Sequence, residues 1–216
     1  MTPPFFPAQA AAKADSTLAI AGVTLSKLEI TLQSSDILRS LRDRPETAPD
    51  SDIIRSIEAL KHEAAAWLRP RGAYAIYVPT ALTDHSLEIG GWRIECDASR
   101  IFRGASRIAV YMATVGNEIT RQADLKRISG DTSTSRILDA IGSWAAERSA
   151  EALMANLAGH LGPEESFTVR YSPGFCGMDL SEQRVLFRLV PAENLGIALL
   201  PSLFRLPRFS RHPTYA

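Results

Sequence analysis

Residues 132–160 read as one long helix, and no other feature limits the fold of this chain as much. Its middle, Ile137 to Glu147, is dense in small side chains: Ala140, Gly142, Ser143, Ala145 and Ala146. Small residues let a neighbouring backbone approach closely. The helix is therefore expected to run through the centre of the fold, well buried. Residues 18–32 read as a first strand and Asp36–Arg42 as a short helix. A helix over 52–68 carries Ile53, Ile54, Ile57, Leu60, Ala64 and Trp67 at spacings of three and four. Ser51 or Asp52 would cap it, and Pro70 lies just past its end. Strands are expected over 73–78, 107–114, 166–171 and 197–206. Leu87–Ile89 and Trp92–Cys96 flank Gly90-Gly91, which supply the positive φ of a two-residue hairpin turn. Asn117 is placed to cap a helix over 118–127, and a last helix covers 180–190. Strands and helices mixed without a strict βαβ rhythm point to an α+β fold with a partly antiparallel sheet.

A chain of 216 residues is long enough for one medium domain with a core of its own. Residues 1–17, rich in Ala and Pro, are expected to be flexible, with the folded domain over 18–216. Twenty-four basic side chains balance 24 acidic ones. A general nucleic-acid or anionic-membrane binder would need a clear basic excess, so neither partner is expected. No apolar run reaches the ~18 residues of a membrane span, and the N-terminus lacks the basic and apolar regions of a secretory signal. The basic residues are 20 arginines and 4 lysines, a skew read as GC-rich codon usage. The chain is accordingly read as cytoplasmic and bacterial. Cys96 and Cys176 are too few for a disulfide framework or a tetrahedral zinc site and are expected to be reduced and unpaired. His62, His85, His160 and His212 show no HxxH or HxxxH spacing, so no metal site is expected.

The stretch from Arg170 to Asp179 is the most specific. It joins an expected strand to an expected helix through Pro173-Gly174, a tight-turn dipeptide. Arg170 can offer a planar fork to a carboxylate, the turn a bare backbone, and Phe175 an aromatic face. Together they suit a zwitterionic nucleoside such as S-adenosylmethionine. The same residues also make a plain strand-to-helix turn with a surface arginine and a packed phenylalanine. Asp179 and Glu182 have capping-box spacing and read as structural. Cys176 lacks a nearby base that would make it a nucleophile. Hydrolysis through Cys176 is kept only as a remote alternative. After Glu193 the tail carries Arg205, Arg208, Arg211 and His212 and no acidic residue. That fits an acidic partner, a phosphate-bearing cofactor, or a solvated edge strand guarded by charge. Gly116 lies between a strand and a helix, but the glycine pattern of a nucleotide loop is missing.

RYSPGF at 170–175, the helix DLSEQRVLFRL after it, and LGIALLPSLFRLP resemble the C-terminal part of the cobalamin-dependent methionine synthase activation domain family. Members carry an Arg, three residues, then Gly and an aromatic, usually Tyr. ILDAIGSWAAERSAEAL, YMATVGNEI and DIIRSIEALKHEAAAWLRPRGAYAIYV extend the resemblance over about 18–207, in the manner of the short, stand-alone members. The resemblance implies one α+β domain with a bent, largely antiparallel sheet flanked by helices. It implies S-adenosylmethionine as ligand, and cobalamin carried by a partner methyltransferase protein. A flavodoxin-type donor would reduce the cobalamin, and S-adenosylmethionine would methylate it. By motif position Arg170 would hold the methionine carboxylate. Ser172 would give backbone hydrogen bonds, Gly174 close approach, and Phe175 the aromatic face. Glu147 and Glu164 are the candidates for water-mediated contacts to the ammonium. The implied function is a reactivation module, a component of a split methionine synthase rather than a complete enzyme. The alternative is a non-enzymatic scaffold or chaperone of a corrinoid protein. The sequence departs from the family in three places. Phe175 lacks a hydroxyl, the early acidic residue of full-length synthases has no clear equivalent, and the last six residues are polar where the family has an apolar strand end.

Overall fold

The computed structural model describes residues 21–25, 27–41, 51–159, 161–168, 170–175, 177–190, 192–200, 202, 205–206, 210–211 and 214–215. Along the chain run β1 (Ala21–Leu25), α1 (Ser34–Leu41), α2 (Ser51–Trp67), β2 (Arg71–Tyr77), β3 (Ala81–Leu82), β4 (Ser86–Ile89) and β5 (Trp92–Glu95). Then follow α3 (Ala98–Phe102), β6 (Ile108–Thr114), α4 (Glu118–Ile128), α5 (Thr132–Ala158) and α6 (Gln183–Leu189). The last strands are β7 (Ala198–Leu199), β8 (Arg205–Leu206), β9 (Ser210–Arg211) and β10 (Thr214–Tyr215). Short 3₁₀ turns at Leu180–Glu182 and Ala192–Leu195 bracket α6.

An antiparallel pairing of β2 with β6 forms the centre. Every residue of β6 is buried, as is β2 from Gly72 onward. Strands covered on both faces read as continuous apolar runs, which is why 73–78 and 107–114 stand out in the sequence. Successive side chains of a strand point to opposite faces, and here they feed two cores. Tyr74, Ile76, Ala109, Tyr111 and Ala113 pack with Ala150, Leu153 and Leu157 of α5. Ala73, Ala75, Tyr77, Ile108, Val110 and Met112 pack on the other side with β4, β5 and α6. A third cluster joins α1, α2, α4 and the first half of α5 through Ile37, Ile57, Ile119, Leu138 and Ile141. The central position of the long helix is thus realised. Ile141, Gly142, Ala145, Ala146, Ser149 and Ala150 are all buried.

One close approach seats α5 on the sheet. A Cβ on Gly72 would stand 2.8 Å from Leu153 Cδ2 and 3.1 Å from Cδ1. The missing side chain is the space that Leu153 fills. The Gly90-Gly91 hairpin between β4 and β5 forms as expected, with both glycines at positive φ, 56° and 75°.

Several local expectations need correction. The first strand ends at Leu25, and 27–33 runs outside the sheet. Residues 166–168 are irregular, and Tyr171 makes only an isolated bridge. The sheet position beside β6 is taken by the polar tail. Thr214 pairs with Val110, Tyr215 with Ala109, and Arg211 with Ala113. The expected strand over 197–206 is two short strands paired antiparallel, β7 with β8. Asn117 has helical backbone angles and its side chain makes no cap bond. An effective cap sits in extended backbone and reaches inward. Asp179 does cap, accepting from the Ser181 N–H at 2.8 Å. Ile53 and Ile54 stay exposed, while Ile57 and Ala64 carry the buried face of α2. The flexibility expected for 1–17 concerns residues outside those described, as do Cys176, His160 and the side chains of the tail arginines.

Candidate functional site

Arg170 stands where the chain changes layers. Phe167 packs against the α5 core, while Tyr171, four residues later, belongs to the opposite core. Tyr171 is buried and meets Phe102 edge-on, with ring centroids 5.9 Å apart. That anchor fixes the backbone beside Arg170. The arginine side chain returns to α5, and its Nη1 donates to Glu147 Oε1 at 2.6 Å. The Tyr111 hydroxyl of β6 interacts with the same guanidinium. Burial works against the charge of Arg170. The Glu147 carboxylate and Tyr111 outweigh it, and the guanidinium holds its proton more firmly than usual. The side chain of Arg170 remains 38% exposed. It therefore offers a fixed positive charge at an open surface.

The turn after Arg170 closes on itself. Phe175 N–H donates to the Ser172 carbonyl at 3.2 Å, Met178 N–H to that of Phe175 at 3.0 Å, and Gly174 N–H to that of Met178 at 2.8 Å. These amides are therefore engaged within the turn. Gly174 has φ 92° and a built Cβ would meet only Leu180 Cδ1, at 3.7 Å. Backbone conformation, not crowding, is what calls for glycine there. Phe175 projects outward, 67% exposed.

Of the residues singled out in the sequence, the structure brings Arg170 and Glu147 into contact and places the 172–175 turn directly after them. Glu164 lies elsewhere, on the wall of a cavity of about 320 Å³. The floor of that cavity includes Ile76, Ala109, Leu157 and Phe167, and its wall reaches Thr168, two residues before Arg170. Two residues span at most about 7 Å, so the cavity adjoins the Arg170 site, although Arg170 does not line it. Arg107 pairs with Glu165 at its rim, and Glu165 also accepts from the Gly162 N–H at 2.7 Å. Those bonds hold the Glu165 carboxyl below the usual carboxylate range. Sequence reasoning missed Tyr111. The strand alternation that puts Ala109 and Ala113 under α5 also puts Tyr111 there, and that was the available signal.

Cys96 is buried and unpaired. Burial pushes its thiol up to about 12, and Glu182, Asp97 and Glu95 add to the shift. A neutral buried thiol is a poor nucleophile. Folded protein should therefore leave Cys96 unmodified by iodoacetamide at mildly alkaline pH, with labelling only after unfolding. Denaturation without reductant should release two free thiols in all, and a lower count would contradict the unpaired assignment. Among the described residues no group of three or more His, Cys, Asp or Glu side chains is placed to hold a metal ion. No helix among them is long and apolar enough to cross a membrane.

No protein-family model matches the sequence, and comparison with curated proteins gives no match. Among solved structures the chain is similar to a MetH reactivation domain crystallised with AdoHcy bound. The TM-score is 0.63 over 92% of this chain and 79% of that chain. This chain has the fold of a MetH reactivation domain. At 16% identity the likeness is one of fold. The mixed architecture of helices and antiparallel sheets matches that fold, and it agrees with the α+β reading of the sequence.

Proposed function

We propose that this chain is a cytoplasmic reactivation module for a corrinoid-dependent methyltransferase. It would present S-adenosylmethionine to a cobalamin held by a partner protein, as one part of a split methionine synthase. One observation carries the reading: Arg170, held charged by Glu147, keeps part of its guanidinium open beside the 172–175 turn. A planar fork of this kind suits the carboxylate of an amino-acid ligand. The AdoHcy bound to a domain of the same fold supports an S-adenosyl ligand here. Phe175 would offer its ring to the ligand, and Glu164 would stand at the neighbouring cavity. The corrinoid supplies the methyl-accepting centre, and an external flavodoxin-type donor supplies the electron. This chain's residues bind and orient the methyl donor.

Calorimetric titration with S-adenosylmethionine, alone and with a candidate corrinoid protein, tests the proposal. A saturable heat at millimolar ligand or below is expected. The Arg170–Glu147 pair also favours a second reading, in which the arginine is satisfied within the fold and the protein is a scaffold for a corrinoid protein. A flat titration combined with a stable corrinoid complex would select that one. Phe175→Tyr is expected to leave ligand affinity unchanged or improve it. The ring is already exposed, and the added hydroxyl supplies a donor at no packing cost. A loss of affinity in that variant would show that the ring makes a contact intolerant of the hydroxyl.

A further inference from the structure

We infer that Glu147 is a positioning residue, which fixes the Arg170 guanidinium in the orientation that receives a ligand carboxylate and does not itself touch the ligand. This rests on the reading of Arg170 given above. Arg170 follows an irregular segment, and its long side chain has much rotamer freedom to lose. Glu147 stands on α5, whose neighbouring residues Ala145, Ala146 and Ala150 are all completely buried. The helix cannot shift there without breaking two cores. The carboxylate is thus the rigid end of the pair and the guanidinium the soft end. At 2.6 Å the bond is short and charge-assisted, and Glu147, only 24% exposed, is the more enclosed partner.

The geometry of the guanidinium gives the direction of the effect. Arginine has five N–H donors in a flat fork. Glu147 takes one of them, on Nη1. The Tyr111 hydroxyl meets the same guanidinium, and the side chain stays 38% exposed, so part of the fork is open to an incoming carboxylate. Glu147 therefore orients the fork while part of it stays exposed. Removing it should weaken binding, whereas a competing stand-in for the ligand would strengthen binding when removed.

The test uses the full chain and two probes, S-adenosylhomocysteine and an analogue of it lacking the α-amino group. Glu147→Ala is expected to weaken both by the same factor, about 3- to 10-fold, the cost of ordering one long side chain at the moment of binding. Glu147→Gln keeps an acceptor and should recover part of the loss. In an Arg170→Ala background, Glu147→Ala should cost nothing further. In the unliganded protein, nitrogen-15 NMR of the arginine side chains should show a restricted Arg170 guanidinium that becomes rotationally averaged in Glu147→Ala. A loss that disappears with the amine-free analogue, or that adds to Arg170→Ala, would mean direct contact with the ammonium and overturn the inference. Tighter binding in Glu147→Ala would overturn it as well, and so would an Arg170 guanidinium equally ordered in that variant. If wild-type protein binds neither probe, the methyl-donor reading falls, and the NMR result alone decides whether Glu147 orders Arg170. Should Glu147→Ala lower the melting temperature into the assay range, Glu147→Gln carries the same comparisons.

Discussion

Arg170→Ala is expected to weaken S-adenosylmethionine binding severely while leaving the protein folded. A ligand carboxylate needs a charge-assisted partner when it leaves water, and Arg170 is the cation that the turn presents. Truncating one side of such a contact costs on the order of 2–4 kcal/mol, roughly 30- to 1000-fold in affinity. The cost to stability should be small. The pair with Glu147 is partly open to solvent, and exposed ion pairs contribute about 0–1 kcal/mol. At roughly 2–4 °C per kcal/mol for a chain of this size, the melting temperature should move by only a few degrees. Calorimetry and thermal melting on the same sample separate the outcomes. A sharp fall in melting temperature, together with no wild-type binding at millimolar ligand, would make Arg170 a structural residue and leave the scaffold reading standing.

Leu153→Ala should be among the most destabilising single changes in the molecule. Leu153 is fully buried between α5 and the sheet, directly over the hydrogen side of Gly72. Gly72 lies opposite both Leu25 of β1 and Ala113 of β6, in the middle of the three-strand pairing. Truncation would leave a void that neither the helix nor three paired strands can close. Core Leu→Ala changes of this type cost about 2–5 kcal/mol, which here corresponds to roughly 4–20 °C in melting temperature. Gly72→Ala alone should also destabilise, by about 1–3 kcal/mol, because the new methyl meets Leu153 at 2.8 Å. In the double variant the methyl enters the space vacated by Leu153. The two losses should therefore fall well short of additive. Additive losses would mean that the two residues do not share one contact.

Much of this architecture can be read from local pattern. The small-residue run of α5, the apolar runs of β2 and β6, and the Gly90-Gly91 hairpin each announce themselves through periodicity or turn chemistry. Arg170, Gly174 and Phe175 are legible as a motif, because a glycine at positive φ beside an arginine and an aromatic is a local arrangement. Glu147 could be named, but its contact with Arg170 could not. Twenty-three residues separate it from Arg170, and the contact exists only because the chain crosses layers at 167–171. The charge of the tail allows an edge strand but does not name the sheet it joins. Its polar residues carry no strand pattern, yet β9 and β10 take the edge of β6 because that edge offers unpaired backbone groups. The segment at 166–168 has the side chains of a strand yet takes an irregular course. The sequence by itself therefore determined the helices, the central strands β2 and β6, the Gly90-Gly91 hairpin and which turn presents the arginine, since those depend on neighbours along the chain. Only the tertiary structure decided which strand lies beside β6 and which carboxylate holds Arg170. Both are competitions for one partner between segments far apart in sequence, and packing settles them.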